Sequence, residues 1–510
     1  MAPANLTRLA SFGSSYPRAA DAIALASGVL LCLAFAPVGW FPLAFVCPAL
    51  LFVLWHGATP ARAAWRGFLF GLGLFGLGAS WVYVSLHNFG NMAAPLAGLA
   101  TFFFVAILAV SPALAGWAQA RLARGHEDDP GLVHYFLVLP ALWVLQEWLR
   151  GAFLSGFPWL HLGYSQIDTL LAGFAPWLGV YGVSLVTAMV AAALSAALLR
   201  PARVWRAAAI LIVAVTLLGY ALGRVEWSVR ADGALRVALV QGNVPLRIKW
   251  AARYRDEIVA RYLARSRTAL DADLVVWPEA AVPAYLDETG GLRAELRMLA
   301  GSSQTAFLTG IVERERGRHY NSVLLVSRDG EATYRKRHLV PFGEYLPLKP
   351  WLQWLLDYLQ IPMSDFTPGP PVQAALAVKG QKLGISVCYE DAFGEEVIRT
   401  LPTASVLVNV SEDAWFGDSL APHQRLQMAR MRALETARPM VRSANTGPSA
   451  VIDHRGVVLA RSQQFEELVL RAEVVPRAGV TPYVRVGNLL VVILALFLVV
   501  AGWGWRRTRP

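Results

Sequence analysis

The sequence predicts a membrane α-helical bundle of eight spans, with an α/β domain outside the cytoplasm inserted between the seventh and eighth. Three observations carry this expectation. The 510 residues are 56% hydrophobic and only 16% charged, with mean hydropathy +0.44, more apolar than a soluble chain of this length. The apolar residues are gathered into runs near the length of about 20 that crosses a hydrocarbon core. One long segment, roughly 226–482, lacks such runs and holds most of the Asp, Glu and Lys.

The runs fall near 20–37, 39–56, 66–86, 93–120, 134–153, 171–199, 204–223 and 485–505. The first lacks a small-residue cleavage site and reads as a retained anchor. Arginines fix the orientation. Arg8 and Arg18 precede the first run, Arg62 and Arg66 separate the second and third, and Arg121 and Arg124 follow the fourth. Arg200, Arg203 and Arg206 separate the sixth and seventh, and Arg506, Arg507 and Arg509 follow the eighth. The alternate connections PVGW and HNFGNMA carry neither Lys nor Arg. The positive-inside bias therefore predicts both termini in the cytoplasm and segment 226–482 outside it. The chain divides as 1–225 (seven spans), 226–482 (the extracytoplasmic domain) and 483–510 (the eighth span and a cytoplasmic tail).

The inserted domain reads as strands mixed with helices. Short β-branched runs are LRVALVQGN, ADLVVWPE, TAFLTGIV, NSVLLVS, LGISVCYE, ASVLVNVS and PSAVIDHRG. RYRDEIVARYLARSRTAL and PHQRLQMARMRALETA have helical character, and NSVLLVS-RDG-EATYRK carries the Asp-Gly signal of a hairpin. Such mixing over this length argues an α/β domain of two or more layers. Its edges, EWSVRADGA and VVPRAGVTP, read as linkers.

The chain is basic, with net charge +11. The arginines sit at the ends of apolar runs, which points to anionic lipid headgroups rather than nucleic acid. No zinc-type Cys/His spacing, Walker loop or dinucleotide glycine pattern occurs. Of three cysteines, Cys32 and Cys47 fall in apolar runs and read as packing residues, whereas Cys388 is alone in the inserted domain.

Cys388 follows the strand LGISV and precedes EDAFGEEVIR, where a helix N-terminus would favour the thiolate. Glu279 ends VVWPE, where Pro278 breaks the strand, and Lys336 ends a hairpin strand in ATYRKRH. A carboxylate, an ammonium and a thiol together can divide nucleophilic acyl transfer. The first takes the thiol proton, the second stabilises the oxyanion and the third attacks. Singly, each has a plain reading as a solvated acid, a solvated lysine and a core cysteine.

WPE, YRKRHLVPFGEY and CYE, in that order, resemble the Glu-Lys-Cys triad of the nitrilase superfamily. Placed between seven spans and a closing one, this domain resembles the apolipoprotein N-acyltransferases of the bacterial inner membrane. VQGNVP, FAPVGWFPLAF, FPWLHLGYSQ, SEDAWFGDS and RSANTGPSAVID also match. Many members of that family read Asn-Asp-Ala-Trp where this chain has Glu412-Asp413-Ala414-Trp415.

The resemblance implies a nitrilase-like αββα sandwich and the last step of lipoprotein maturation. An acyl chain passes from a phospholipid, usually phosphatidylethanolamine, to the N-terminal S-diacylglyceryl cysteine of an apolipoprotein. It implies Glu279 as general base, Cys388 as nucleophile through a thioester with ping-pong kinetics, and Lys336 as electrostatic stabiliser. Glu344 of PFGEY supports the oxyanion site, and Tyr389 and Glu390 shape the pocket. The partners implied are the phospholipid donor, the apolipoprotein acceptor and membrane lipid, with no nucleic acid. No metal or organic cofactor is called for, and nothing in the sequence suggests more than a monomer.

Aromatic residues are candidates for lipid contact. Trp351 and Trp354, with Leu355 and Tyr358, share a helical face in 349–363 that suits either an interfacial lid or internal packing. Trp250 and Trp415 read equally as acyl-chain contacts or core. The aromatic loop 151–166 suits the headgroup level, and Glu147 and Arg150 at its start either pair or meet headgroups. Two other functions fit less well. A tethered amidase would share the triad but hydrolyse soluble amides, and seven spans are more than a tether needs. A transporter would carry charged or broken spans along a path, and these spans carry few charges.

Overall fold

Apolar helices lie at each of the eight predicted positions in the computed structural model, which describes residues 12–123, 131–345 and 365–507. Five are long and apolar enough to cross a membrane: Pro17–Ala34, Ala94–Ala123, Gly131–Ala152, Leu170–Leu199 and Val204–Leu222. A sixth is counted if Pro60–Gly78 and Trp81–Phe89, bent by 49°, form one span. Two are shorter. Leu43–Trp55 has 13 residues, about 20 Å at a rise of about 1.5 Å per residue, against a hydrocarbon core of about 30 Å. The run 39–56 yields less helix than expected because a turn at Phe41–Pro42 precedes it and Leu43 is its first helical residue. Leu489–Gly504 is the other.

The chain forms two compact units. One comprises Met1–Tyr83, Ala94–Glu226 and Val486–Pro510, and the other Val84–Ala93 and Trp227–Arg485. In the first, glycines allow close helix packing: a Cβ at Gly28 would stand 2.0 Å from the Phe70 carbonyl oxygen. Glu147 and Arg150 both brace the loop that follows them. Glu147 accepts from Leu162 N and Trp143 Nε1 at 2.9 Å, and Arg150 donates to the Phe157 and Trp159 carbonyls at 2.9 and 2.6 Å. The loop is largely packed rather than displayed, with Trp159 and Tyr164 buried and only its start, Phe153 and Leu154, strongly exposed.

Among its described residues the second unit holds fourteen strands. They are β1 (Ser228–Arg230), β2 (Leu235–Gln241), β3 (Leu274–Val276), β4 (Ala306–Glu315), β5 (Arg318–Ser327) and β6 (Gly330–Arg335). There follow β7 (Leu376–Val378), β8 (Gln381–Val387), β9 (Val406–Ser411) and β10 (Met440–Ala444). The last are β11 (Ala450–Ile452), β12 (Val458–Arg461), β13 (Leu468–Val474) and β14 (Arg477–Gly479). Two six-stranded sheets run β13-β2-β3-β4-β5-β6 and β12-β11-β10-β9-β8-β7. The Asp-Gly signal is a two-residue turn in which Ser327 pairs with Gly330.

Alternation along the strands decides the layers. Leu235, Val237 and Leu239 of β2 and Leu274 and Val276 of β3 share one core with Leu383, Ile385 and Val387 of β8 and Val406, Val408 and Val410 of β9. The opposite side chains of the first sheet, Ala238, Val240, Val275 and Phe307, pack on Ile258, Tyr262, Leu296 and Ala300 of helices Arg255–Arg267 and Gly290–Ser303. Those of the second, Leu407, Met440 and Ile452, pack on Leu426, Ala429 and Ala433 of helix Ala421–Thr436. The result is the four-layer αββα order that the resemblance implied. The segments read as linkers are not loose: β1 and β14 pair antiparallel, and Arg477 Nε donates to Ser228 Oγ at 2.7 Å.

Candidate active site

Glu279 stands two residues beyond Trp277, where the chain leaves β3. Trp277 N still bonds to Leu308 O of β4 at 2.8 Å, and Gly310 N bonds to Pro278 O at 3.2 Å. The turn lies against β4 so closely that a Cβ at Gly310 would sit 2.4 Å from Ala280 N and 2.6 Å from Glu279 Cα. Pro278 thus ends the ladder, and the carboxylate is left buried at 6% exposure.

Lys336 follows β6 and is held by its own backbone: its N bonds to Asn321 O at 2.8 Å and its O receives Gly369 N at 2.7 Å. Its side chain is 1% exposed. Nζ lies 2.8 Å from Glu344 Oε2 and 3.6 Å from Glu279 Oε1. Asn321 Nδ2 donates to both carboxylates, at 2.7 Å to Glu279 Oε1 and 2.8 Å to Glu344 Oε1. Glu344 Oε2 also accepts from Val340 N at 2.7 Å, which closes the loop after Lys336. Burial works to lower the Lys336 ammonium, but the charges of Glu344, Glu279 and Cys388 outweigh it and leave the group raised and protonated.

Cys388 sits at the turn leaving β8 with φ +47°, a left-handed conformation that a β-carbon disfavours. The expected helix N-terminus is only the 3₁₀ turn Cys388–Ala392 followed by the five-residue helix Gly394–Ile398. Little dipole is available to the sulfur from so short a pair of turns. Side-chain charges act instead. Burial pushes the thiol up to about 11, Glu279 and Asp413 add to this, and Arg425 and Lys336 oppose it.

Glu390 is fully buried and ties the Cys388 turn to the lysine strand. It accepts from Val387 N at 2.7 Å, Arg337 N at 2.7 Å, His338 N at 3.2 Å and Tyr334 Oη at 3.1 Å. Burial raises its carboxyl, and the donors of Val387 and Arg337 counter that. Tyr389 is buried against Phe393 (ring centroids 5.0 Å apart) and His338 (5.8 Å).

Glu279, Lys336 and Glu344 are thus brought into one hydrogen-bonded cluster, and Cys388 lies within the field of two of them. Among the tryptophans, Trp250 is half-buried at the end of the short helix Leu246–Lys249. Trp415 is half-buried too: its carbonyl accepts from Ser85 Oγ at 2.8 Å and its ring meets Phe89 edge-on at 6.3 Å. Trp351 and Trp354, with Leu355 and Tyr358, lie outside the described residues.

Three groups at the site, Asn321, Lys249 and Arg425, went unread in the sequence, and Glu412 was read there only as a departure from a family motif. Asn321 bridges the two carboxylates. Lys249, buried, donates to Glu279 O at 3.1 Å and pairs with Glu412. Glu412 N in turn donates to Glu279 Oε2 at 2.9 Å. Arg425, in helix Ala421–Thr436, reaches Cys388. The arginines of PHQRLQMARMRALETA, interleaved with Leu, Met and Ala, were the one available signal, since a buried guanidinium requires an anion.

Known proteins match both halves of the chain. The model of the apolipoprotein N-acyltransferase N-terminal domain matches residues 27–193, and that of carbon-nitrogen hydrolase matches residues 236–483. An apolipoprotein N-acyltransferase of Methylococcus capsulatus is 45% identical over 471 residues, covering 91% of this chain and 92% of the relative. One from Nitrosomonas europaea is 44% identical over 487 residues, covering 94% and 96%. The chain belongs to the apolipoprotein N-acyltransferase family. It is accordingly an acyltransferase with a nitrilase-like catalytic fold, and its apolar helices fit a membrane enzyme. Among solved structures, Nit3 of Saccharomyces cerevisiae aligns with TM-score 0.37 at 20% identity, over 48% of this chain and 90% of that one.

Proposed function

We propose that this chain completes bacterial lipoproteins by moving an acyl group from a phospholipid such as phosphatidylethanolamine to the α-amine of an apolipoprotein's S-diacylglyceryl cysteine. The route is ping-pong through a thioester on Cys388. Glu279 accepts the thiol proton as sulfur attacks the ester carbonyl. Lys336, oriented by Glu344, receives the negative charge on the carbonyl oxygen. The C–O bond breaks and the lysophospholipid oxygen leaves with the proton from Glu279. The incoming amine then attacks the thioester carbonyl and gives its proton to Glu279. The C–S bond breaks, sulfur leaves with the electron pair, and the proton on Glu279 returns to it to restore the thiol. Tyr389 and Glu390 hold the turn in place, and Trp250 and Trp415 border the acyl chains.

The observation that carries this reading is a fully buried, protonated Lys336 held between two carboxylates beside a thiol on a strained turn. The membrane arrangement belongs to the same proposal. Residues 1–225 supply seven spans, 226–482 the catalytic domain on the periplasmic side of the inner membrane, and 483–510 the eighth span, in a monomer with both termini cytoplasmic.

Intact-mass measurement of the purified enzyme with phosphatidylethanolamine tests the chemistry. A hydroxylamine-labile acyl mass is expected on Cys388, lost in Cys388→Ser, slowed in Glu279→Gln and nearly abolished in Lys336→Ala. An unchanged rate in either charge variant removes that residue from its role. A cysteine at residue 330 labelled from the cytoplasm overturns the topology.

A further inference from the structure

Arg425 is completely buried on helix Ala421–Thr436. Its guanidinium donates from Nη1 to Cys388 Sγ at 3.2 Å, and from Nη2 to Cys388 O and Asp391 Oδ1, each at 2.6 Å. Asp391 is itself held by Arg442 Nη1 at 3.1 Å, and Arg442 also binds Asp413 at 2.6 Å and Asn409 Oδ1 at 2.7 Å. This second charge cluster reaches the same sulfur as Lys336 does, from a different element, and the mechanism above does not use it.

We propose that Arg425 is a catalytic residue whose guanidinium holds the negative charge of the Cys388 sulfur, and that it acts most in the second half-reaction, where sulfur is the leaving group. The inference rests on the reading of Cys388 as an acyl carrier. A thiolate is a strong acceptor for a guanidinium donor, whereas a thioester sulfur is neutral and a poor one. The Arg425–sulfur bond is therefore weak in the acyl-enzyme and while the sulfur holds its proton, and strong once the sulfur is a thiolate. It strengthens as the C–S bond breaks under attack by the amine. The bonds to Asp391 and to Cys388 O keep the guanidinium in place while sulfur is uncharged, so no reorganisation is needed when the charge returns.

Lys336 is less suited to this task, because Glu344 and Glu279 already balance its charge and the carbonyl oxygen also requires it. The charged groups acting on the sulfur are Glu279, Arg425, Lys336 and Asp413. Glu390 and Asp391 lie on its own turn, and Arg442 stands behind Asp391. The two cations are what the sulfur has to offset burial and the nearby carboxylates.

Full-length Arg425→Gln and Arg425→Lys, purified in detergent beside the parent enzyme, test this. Cys388→Ser serves as the blank for Cys32 and Cys47. The first readout is the pH profile of iodoacetamide alkylation. Arg425→Gln moves its inflection upward by about 1–3 units, the effect of losing one opposite charge at close range. The second readout is the rate of thioester aminolysis by a diacylglyceryl peptide, set against the rate of acylation. In Arg425→Gln that ratio falls about tenfold or more and the acyl adduct accumulates, with Arg425→Lys between Gln and the parent. A merely structural arginine would slow both steps together, so an unmoved inflection with an unchanged ratio overturns the proposal. If Arg425→Gln does not fold, the ratio in Arg425→Lys decides: a fall supports the proposal and no change overturns it. Absence of any acyl adduct in the parent would instead defeat the acyl-carrier reading, and the alkylation profile would still report on the arginine–sulfur pair.

Discussion

Replacing Lys249 by methionine leaves Glu412 ionisable, buried and without its cation. Glu412 is the residue at which this chain departs from the Asn of many family members, and Lys249 is its partner. Breaking a buried pair by removing one member costs about 3–5 kcal/mol, which for a domain of this size lowers Tm by about 6–20 °C. The loss depends on pH, and its sign follows from the direction in which Glu412 is perturbed. Burial raises its carboxyl and Lys249 opposes that. Without Lys249 the folded state holds the Glu412 proton to higher pH than the unfolded chain does. Stability is then greatest below the unfolded-state value of about 4.3 and falls as pH rises through the raised folded value. The variant's deficit is expected to be small near pH 5 and full at pH 8. Catalysis should suffer as well, because Lys249 holds Glu279 O and Glu412 N holds Glu279 Oε2. Displacement of Glu279, the proposed base, by about 1 Å should cost about 100-fold. Thermal melts of the detergent-solubilised enzyme at several pH values, with acylation rates by mass spectrometry, measure both effects. Adding Glu412→Gln should restore most of the Tm at pH 8. A deficit equal at pH 5 and pH 8, or an unchanged acylation rate, would refute this reasoning.

Three further outcomes follow from other contacts. Gly310→Ala places a methyl 2.4 Å from Ala280 N; it should cost about 1–3 kcal/mol by overpacking and slow acylation strongly, which calorimetry and the adduct assay would show. Glu390→Gln cannot accept all four donors now facing the carboxylate, so hydrogen exchange at Val387 and Arg337 should accelerate, and unchanged exchange would contradict the clip. Burial alone would raise Asp273, yet Arg236 and Lys379 bring it down to about 2. The stability it contributes is present above the unfolded value of about 3.9 and is lost as pH falls through about 2. Asp273→Asn should therefore flatten the acid limb of a pH–stability curve between about pH 4 and pH 2.

What could be read from the sequence is what local patterns encode. β-branched alternation marked the strands, Asp329-Gly330 set a hairpin turn, and Glu279, Lys336 and Cys388 each ended a strand where the chain must turn. The neighbours that tune them come from far away in the chain: Asn321 lies 42 residues from Glu279 and Glu412 lies 163 from Lys249. No periodicity reports such pairings. The helix expected after Cys388 failed because EDAFGEEVIR is divided at Phe393, leaving two short turns in place of one helix. The linker reading failed because β1 and β14 look polar and irregular singly and gain order only from each other.

Glu279 and Lys336 ride on the first sheet, whereas Cys388 rides on the second, with Arg425 beyond it. Neither layer alone carries a working set. The first sheet, moreover, is completed only by β13, which pairs along the whole of β2 from more than two hundred residues away. During synthesis the thiol is therefore made well before its surroundings are finished. A ribosome-bound chain ending short of Leu468 should expose an inert cysteine, and acyl transfer by this enzyme should begin only once the late strands have docked.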